Sequence, residues 1–348
     1  MNAKCEQEGL TGMPIGIGSM PQTDANSAVN MVLKYLPNTP FLPELPRRSY
    51  LEHIGNSQSE GMPGARVDVT SERLVVETTA DLGDAVERFY EAYLAEDVDY
   101  FSISSSAAAG FHAMLQKVAA SSGRHSCLKG QLTGPTTLGL IAKDENGRAL
   151  LYNDTFMDIL VKATAMKAKW LQGQITAAGA GAIIFFDEPM LQSVGSPTVP
   201  IDRYKAVRYL NEVVSAVRCV TGCHCCGNTD WSILMESDVD IIAFDAYHFG
   251  EAMALYPSAL ADFLGRGGML AWGIVPSTPE VGDVSADDLF ARLVKAMNLV
   301  CAQGIDSDQL RAQSLLTTSC GLGSLSEELA ETALRTLADV SGLFRGSL

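Results

Sequence analysis

Residues 182–187 read AIIFFD: five apolar residues closed by one acid. β-Branched and aromatic side chains run together here between turn signals, the mark of a short buried strand. Seven other stretches share this character: residues 14–18, 98–103, 127–132, 218–225, 239–245, 269–274 and 315–318. Helix-like stretches separate most of them, at residues 24–36, 84–94, 158–178, 202–217, 251–264, 286–302 and 324–337. The first has an N-cap in Thr23 or Asp24, and the last opens on a Ser-x-x-Glu capping pattern, Ser324 and Glu327. Eight apolar strands alternating with helices predict an α/β chain folded as a (β/α)8 TIM barrel. A doubly wound open sheet is the alternative, because periodicity does not report closure. Residues 1–348 read as a single barrel domain, with no internal repeat and no low-complexity linker. Residues 37–80 fit neither strand nor helix as a whole. They hold PELPRRSYLE (residues 43–52) and a probable strand at 73–77, and read as an insertion after the first strand, a hairpin over the barrel mouth.

The composition narrows the function classes. The 348 residues are 47% hydrophobic and 19% charged, a globular balance. A formal net charge of -16 repels phosphate backbones, so nucleic acid is excluded as a partner. The first ten residues, MNAKCEQEGL, hold no signal-type apolar core, and no apolar run is long enough for a membrane span. The expectation is a cytoplasmic chain whose eight cysteines are thiols or metal ligands, not a disulfide framework.

Three of those cysteines surround one histidine in TGCHCCGNTD, residues 221–230. In a strand, residues i and i+2 share a face. His224 and Cys226 therefore fall on one face, and Cys219, Cys223 and Cys225 on the other. Catalytic sites of parallel barrels lie at the C-terminal ends of the strands, where His224 and Cys226 would stand. Cys320, in TTSCGLGS at the end of the last predicted strand, supplies a third soft donor. Zinc takes nitrogen, sulfur and carboxylate oxygen in a tetrahedron. Asp245, at the end of the sixth strand, is the expected fourth ligand, and His248, three residues on, is its rival. Tyr247 and His248 also stand where a proton donor would be needed. The bland alternative is an HxC pair packed in the core.

These motifs resemble a family. The chain looks like the catalytic C-terminal barrel of cobalamin-independent methionine synthase, in the uroporphyrinogen decarboxylase-like superfamily. GIGSMPQTD (residues 16–24), GQLTGPTT (130–137), IIFFDEPML (183–191) and SCGLGS (319–324) are similar to elements of that barrel. HCCGNTDW (224–231) is similar to the zinc motif of the coenzyme M methyltransferases. The resemblance implies zinc on His224, Cys226 and Cys320. It implies Asp187 as the carboxylate that holds a homocysteine amino group, with Ile17, Gly18 and Ser19 contacting the substrate. The family's further glutamate toward that amine is not recognisable. Glu44, Arg47 and Arg48 stand in that region, as substrate or partner contacts or as a structural ion network.

What the resemblance implies is a thiol S-methyltransferase. A small thiol, homocysteine first, is the acceptor, and a methylated corrinoid or corrinoid protein replaces polyglutamyl folate as donor. Two alternatives stand beside it: a metal-free decarboxylase of the uroporphyrinogen class, and a non-catalytic barrel that binds a corrinoid protein.

Overall fold

The computed structural model describes residues 7–79, 81–121 and 127–348. Its parallel sheet has seven strands among the described residues. They are β1 (Pro14–Ile15), β4 (Cys127–Thr133), β6 (Gly181–Asp187), β7 (Val220–Cys225), β8 (Ile241–Phe244), β9 (Met269–Val275) and β10 (Ser314–Thr318). A second, three-stranded sheet joins β2 (Ala65–Asp68), β3 (Arg73–Val76) and β5 (Lys143–Asp144). Neighbours in the large sheet run β1-β10-β9-β8-β7-β6-β4. No strand order reverses, as it would at the switch point of a doubly wound sheet. The sheet instead curls in TIM-barrel fashion.

Side-chain alternation builds the two faces. Ile183, Phe185, Ile241, Ala243, Met269 and Ala271 form an inner cluster. Ile184, Phe186, Ile242, Phe244, Leu270 and Trp272 belong to the larger cluster that includes the helices. Strands apolar on both faces are what a sheet covered by helices requires. Several helices open on side-chain caps: Asp24 accepts from Ser27 N at 2.7 Å ahead of helix Ala25–Tyr35, and Asn153 caps Asp154–Ala177. The last helix, Glu327–Gly346, is capped by Ser326, not by the Ser324–Glu327 pair read from the sequence.

The second predicted strand does not form. Residues Val98–Phe101 make a 3-10 turn instead, with Val98 and Phe101 three apart, as that geometry spaces them. The gap between β1 and β4 is crossed by residues 40–44. Phe41 bridges Lys129 of β4 and Glu44 bridges Ser19, both in parallel. Leu42 N donates to Lys129 O and Glu44 N to Gly18 O, at 2.9 and 3.0 Å. Phe41, Leu42 and Leu45 are buried, so this short segment carries the apolar side chains of an inner strand. Pro40 and Pro43 lack an N–H and hide it from a strand reading.

The rest of residues 37–79 includes the antiparallel β2–β3 pair. It is tied to the region after β4 by the parallel β3–β5 pairing and by Gln58 Nε2 donating to Thr133 O at 2.9 Å. Residue 80 and the first six residues lie outside the described residues. Among the described residues, no helix is long and apolar enough to cross a membrane.

Candidate metal centre

β7 carries Val220, Gly222 and His224 toward the inside of the curl, with His224 in register with Asp187 of β6 and Ala243 of β8. Cys223 and Cys225 point the other way and are fully buried among outer-face apolar side chains. Cys226 is the first residue past β7, and Cys320 is the second past β10. The chain thus brings His224, Cys226 and Cys320 together, with one donor atom of each within 4.8 Å of the others. His224 is 2% exposed, and neither of its ring nitrogens has a hydrogen-bond partner among the described residues. An unsatisfied buried imidazole is costly. One nitrogen and two sulfurs around that ring fit a thiophilic ion such as zinc.

Electrostatics separate the pocket thiols from the packing ones. Cys320 and His224 beside it push Cys226 down to about 4, and Cys226 together with burial pushes Cys320 up. Burial pushes Cys225 and Cys219 up to about 12, and Cys223 well above its ordinary value. Cys219, Cys223, Cys225, Cys226, Cys301 and Cys320 are free thiols, whereas Cys127 is disulfide-bonded, against the expectation of thiols and ligands throughout.

The three donors open onto a cavity of about 270 Å³ that Ser19, Glu44 and Asp187 also line. Asp187 Oδ1 is buried without a hydrogen-bond partner. Burial raises the Asp187 carboxyl, against the pull of Lys129 and His224. Glu44 reaches the same cavity from the crossing segment. Burial and then the Asp187 charge push it up to about 8, and Lys129 opposes this. Ile17 is buried, and Ser19 packs so closely on Gly321 that a Cβ there would meet Ser19 Oγ at 2.0 Å. Gly18 has φ +112°, and a Cβ on it would lie 2.1 Å from Gln131 Nε2.

The structure parts the three charged residues that the sequence left together. Glu44 lines the cavity. Arg47 donates to Ser324 O at 2.9 Å. Arg48 pairs with the buried Glu52 and donates to Ser106 O, so both arginines brace the loop. Glu188, next to Asp187, is buried and accepts from Thr136 N and Thr137 N at 2.9 and 2.7 Å, which anchors helix Pro135–Ile141.

Asp245 does not join the donor group. Its carboxylate accepts from His248 N at 2.9 Å and meets His248 Nδ1 at 2.7 Å, capping helix Ala246–Phe249. An Asp just past a strand and just before a helix satisfies that helix's free N–H groups first. His248 is 43% exposed and borders a separate groove with Tyr247 and Arg292. Trp272 is wholly buried, with Nε1 donating to Ser314 Oγ, and so belongs to the core.

Lys129 was not singled out by sequence reasoning. It is fully buried on the inner face of β4, with Nζ 4.7 Å from the centre of the Phe185 ring. The available signal was Lys129 and Gln131 at i and i+2 in an otherwise apolar strand: two polar side chains on one buried face.

No protein-family model matches the chain, and no curated protein matches it. Solved structures do. A putative vitamin-B12-independent methionine synthase from Listeria monocytogenes aligns with a TM-score of 0.56 at 14% identity, over 92% of this chain and 85% of that one. A methyltransferase from Methanosarcina mazei aligns with a TM-score of 0.56 at 14% identity, over 97% and 96%. A B12-independent methionine synthase from Shewanella sp. W3-18-1, in complex with selenomethionine, aligns with a TM-score of 0.49 at 19% identity, over 67% of each chain. The chain shares the fold of the Listeria and Methanosarcina proteins along nearly its whole length.

Proposed function

We propose that this chain is a zinc-dependent methyltransferase that moves a methyl group onto a small thiol, with homocysteine as acceptor and methionine as product. The observation that carries this reading is the convergence of His224, Cys226 and Cys320, from two separated strands, on one cavity. Residues 1–348 form one barrel unit in this reading, with 37–80 as its elaboration after β1. The resemblance of the motifs to methionine synthase and coenzyme M methyltransferases, and the fold shared with the Listeria and Methanosarcina structures, support it. A methylated corrinoid, free or protein-borne, is the proposed donor.

His224 and the two cysteines would hold the zinc ion, whose Lewis acidity keeps an acceptor thiol deprotonated at neutral pH. Asp187 and Glu44 face the same cavity and would receive the acceptor's amino group between two carboxylates. Ile17 closes one wall and Ser19 offers a hydroxyl. So held, the acceptor sulfur attacks the methyl carbon in line. The S–C bond forms as the donor–carbon bond breaks, and the electron pair stays with the donor. Asp245 and His248, tied to each other on their own groove, take no part in this arrangement. The metal-free decarboxylase finds no support in the loop, since Arg47 and Arg48 are engaged by Ser324 and Glu52 rather than offered to substrate carboxylates.

Metal analysis and a methyl-transfer assay with methylcobalamin and homocysteine test the proposal. Stoichiometric zinc and turnover in the wild type, both lost in Cys320→Ala, are expected. A protein that binds no zinc, or equal turnover in the two forms, overturns it. Zinc without turnover points to the non-catalytic barrel.

A further inference from the structure

Glu188 follows Asp187, is buried, and does not line the cavity. Its two carboxylate oxygens accept from Thr136 N and Thr137 N, in the first turn of helix Pro135–Ile141. Its own backbone N donates to His224 O at 2.8 Å. That bond lies one step past the Asp187–His224 register pair, at the end of the β6–β7 ladder. Gly134 N donates to Asp187 O at 2.9 Å, and a Cβ on Gly134 would meet Glu188 Cδ at 2.4 Å. Met190 N, two residues on, donates to Thr137 Oγ1 at 3.1 Å. The ends of β4, β6 and β7 are thus fastened around one buried side chain.

We infer that Glu188 is a positioning residue for the metal centre: by gripping the first turn of helix Pro135–Ile141 it fixes the end of β6, and through its backbone N–H it holds His224 in one place beside Cys226 and Cys320. The inference rests on the functional reading above and adds a residue to it. A metal-ligating imidazole is ordinarily oriented by an acceptor on its second ring nitrogen. Neither ring nitrogen of His224 has such a partner among the described residues, so its placement falls to the backbone that carries it. Backbone at the end of an element is the first to open. After Glu188 the chain leaves the sheet for the 3-10 turn Pro189–Ser193, and Pro189 has no N–H with which to extend the ladder. The bond from Glu188 N to His224 O is therefore a terminal one, and the side-chain grip on the helix keeps it closed. A carboxylate suits this task because it offers two acceptor oxygens to two adjacent N–H groups. An amide offers one, and turns its own N–H against the other.

Two readouts test this: zinc affinity of the folded protein, by competition with a chelator, and the ligand-field absorption of the cobalt-substituted protein. Glu188→Gln is expected to weaken zinc binding about tenfold or more, the scale for groups that hold a ligand without touching the metal, and to shift the cobalt bands. Gly134→Ala keeps Glu188 but pushes its carboxyl aside, and should do the same; it carries the test if the glutamine variant does not fold. Arg48→Ala, which loosens the loop around Glu52, is the control for lost stability alone and should leave both readouts as in the wild type. Wild-type zinc affinity and cobalt bands in Glu188→Gln and Gly134→Ala overturn the inference, as does equal weakening in Arg48→Ala, which would report general loosening of the fold. A wild type that binds neither zinc nor cobalt overturns the functional reading itself, before any variant is made.

Discussion

Gly18→Ala concentrates several contacts of the barrel rim in one methyl group. Gly18 has φ +112°, where a side chain on an L residue is strained at a cost of about 1–2 kcal/mol. The added Cβ would stand 2.1 Å from Gln131 Nε2 and 2.5 Å from its Cδ, so the Gln131 side chain must move. That side chain donates to Leu42 O at 3.0 Å, within the segment that crosses between β1 and β4. Losing this buried bond costs about 1–3 kcal/mol. Together the two effects destabilise the fold by about 3 kcal/mol, a large share of the stability of an ordinary domain. Urea unfolding of the metal-free protein measures it. Gln131→Ala removes the clash partner, so the double variant should lose less than the sum of the two singles, with the backbone strain of position 18 left over. A loss below about 1 kcal/mol for Gly18→Ala, or strict additivity in the cycle, would refute the account of this contact.

Further outcomes are expected at and around the site. Cys226→Ala should abolish zinc uptake by metal analysis, whereas Cys223→Ala, on the opposite face of β7, should keep the metal and lose about 1 kcal/mol of stability in a thermal melt. Arg48→Ala leaves the Glu52 carboxylate buried with Leu45 N as its remaining partner, and should cost about 3 kcal/mol in denaturant unfolding without changing zinc content. Glu44 has its carboxyl raised from 4.5 to about 8, so the ligand-free fold keeps a proton that the unfolded chain has already released. Its contribution to stability therefore falls as pH rises between those values, and Glu44→Gln should flatten the profile of unfolding free energy across that window. An unchanged profile would show that the Glu44 carboxyl is not raised in the folded chain.

The split of the cysteine cluster was legible without coordinates. Strand alternation alone assigns His224 to the inner face and Cys223 and Cys225 to the outer one, and the structure keeps that division. Seven of the eight strands read from the sequence form as well, since AIIFFD, IIAF and MLAWGIV need apolar side chains on both faces. The second does not. Residues 40–44, which cross between β1 and β4, contain two prolines and a glutamate, while 98–103 look more like a strand and form a turn. Local pattern favoured the wrong segment because hydrogen bonds to both neighbours, Gly18 and Lys129, are what hold residues 40–44 in place. Asp245 misled for a related reason: its position suited a ligand, but the helix it precedes takes up its carboxylate.

By itself the sequence determined the alternating α/β plan, the inward face of β7 and the soft donor set of His224, Cys226 and Cys320. These depend on residue type and on a two-residue period, both local properties of the chain. Only the tertiary structure decided which segment crosses between β1 and β4, that Glu44 and Asp187 line one cavity, and that Lys129 is buried on the inner face of β4. Those relations join residues far apart in the chain, and burial in a shared interior fixes their charges and their partners.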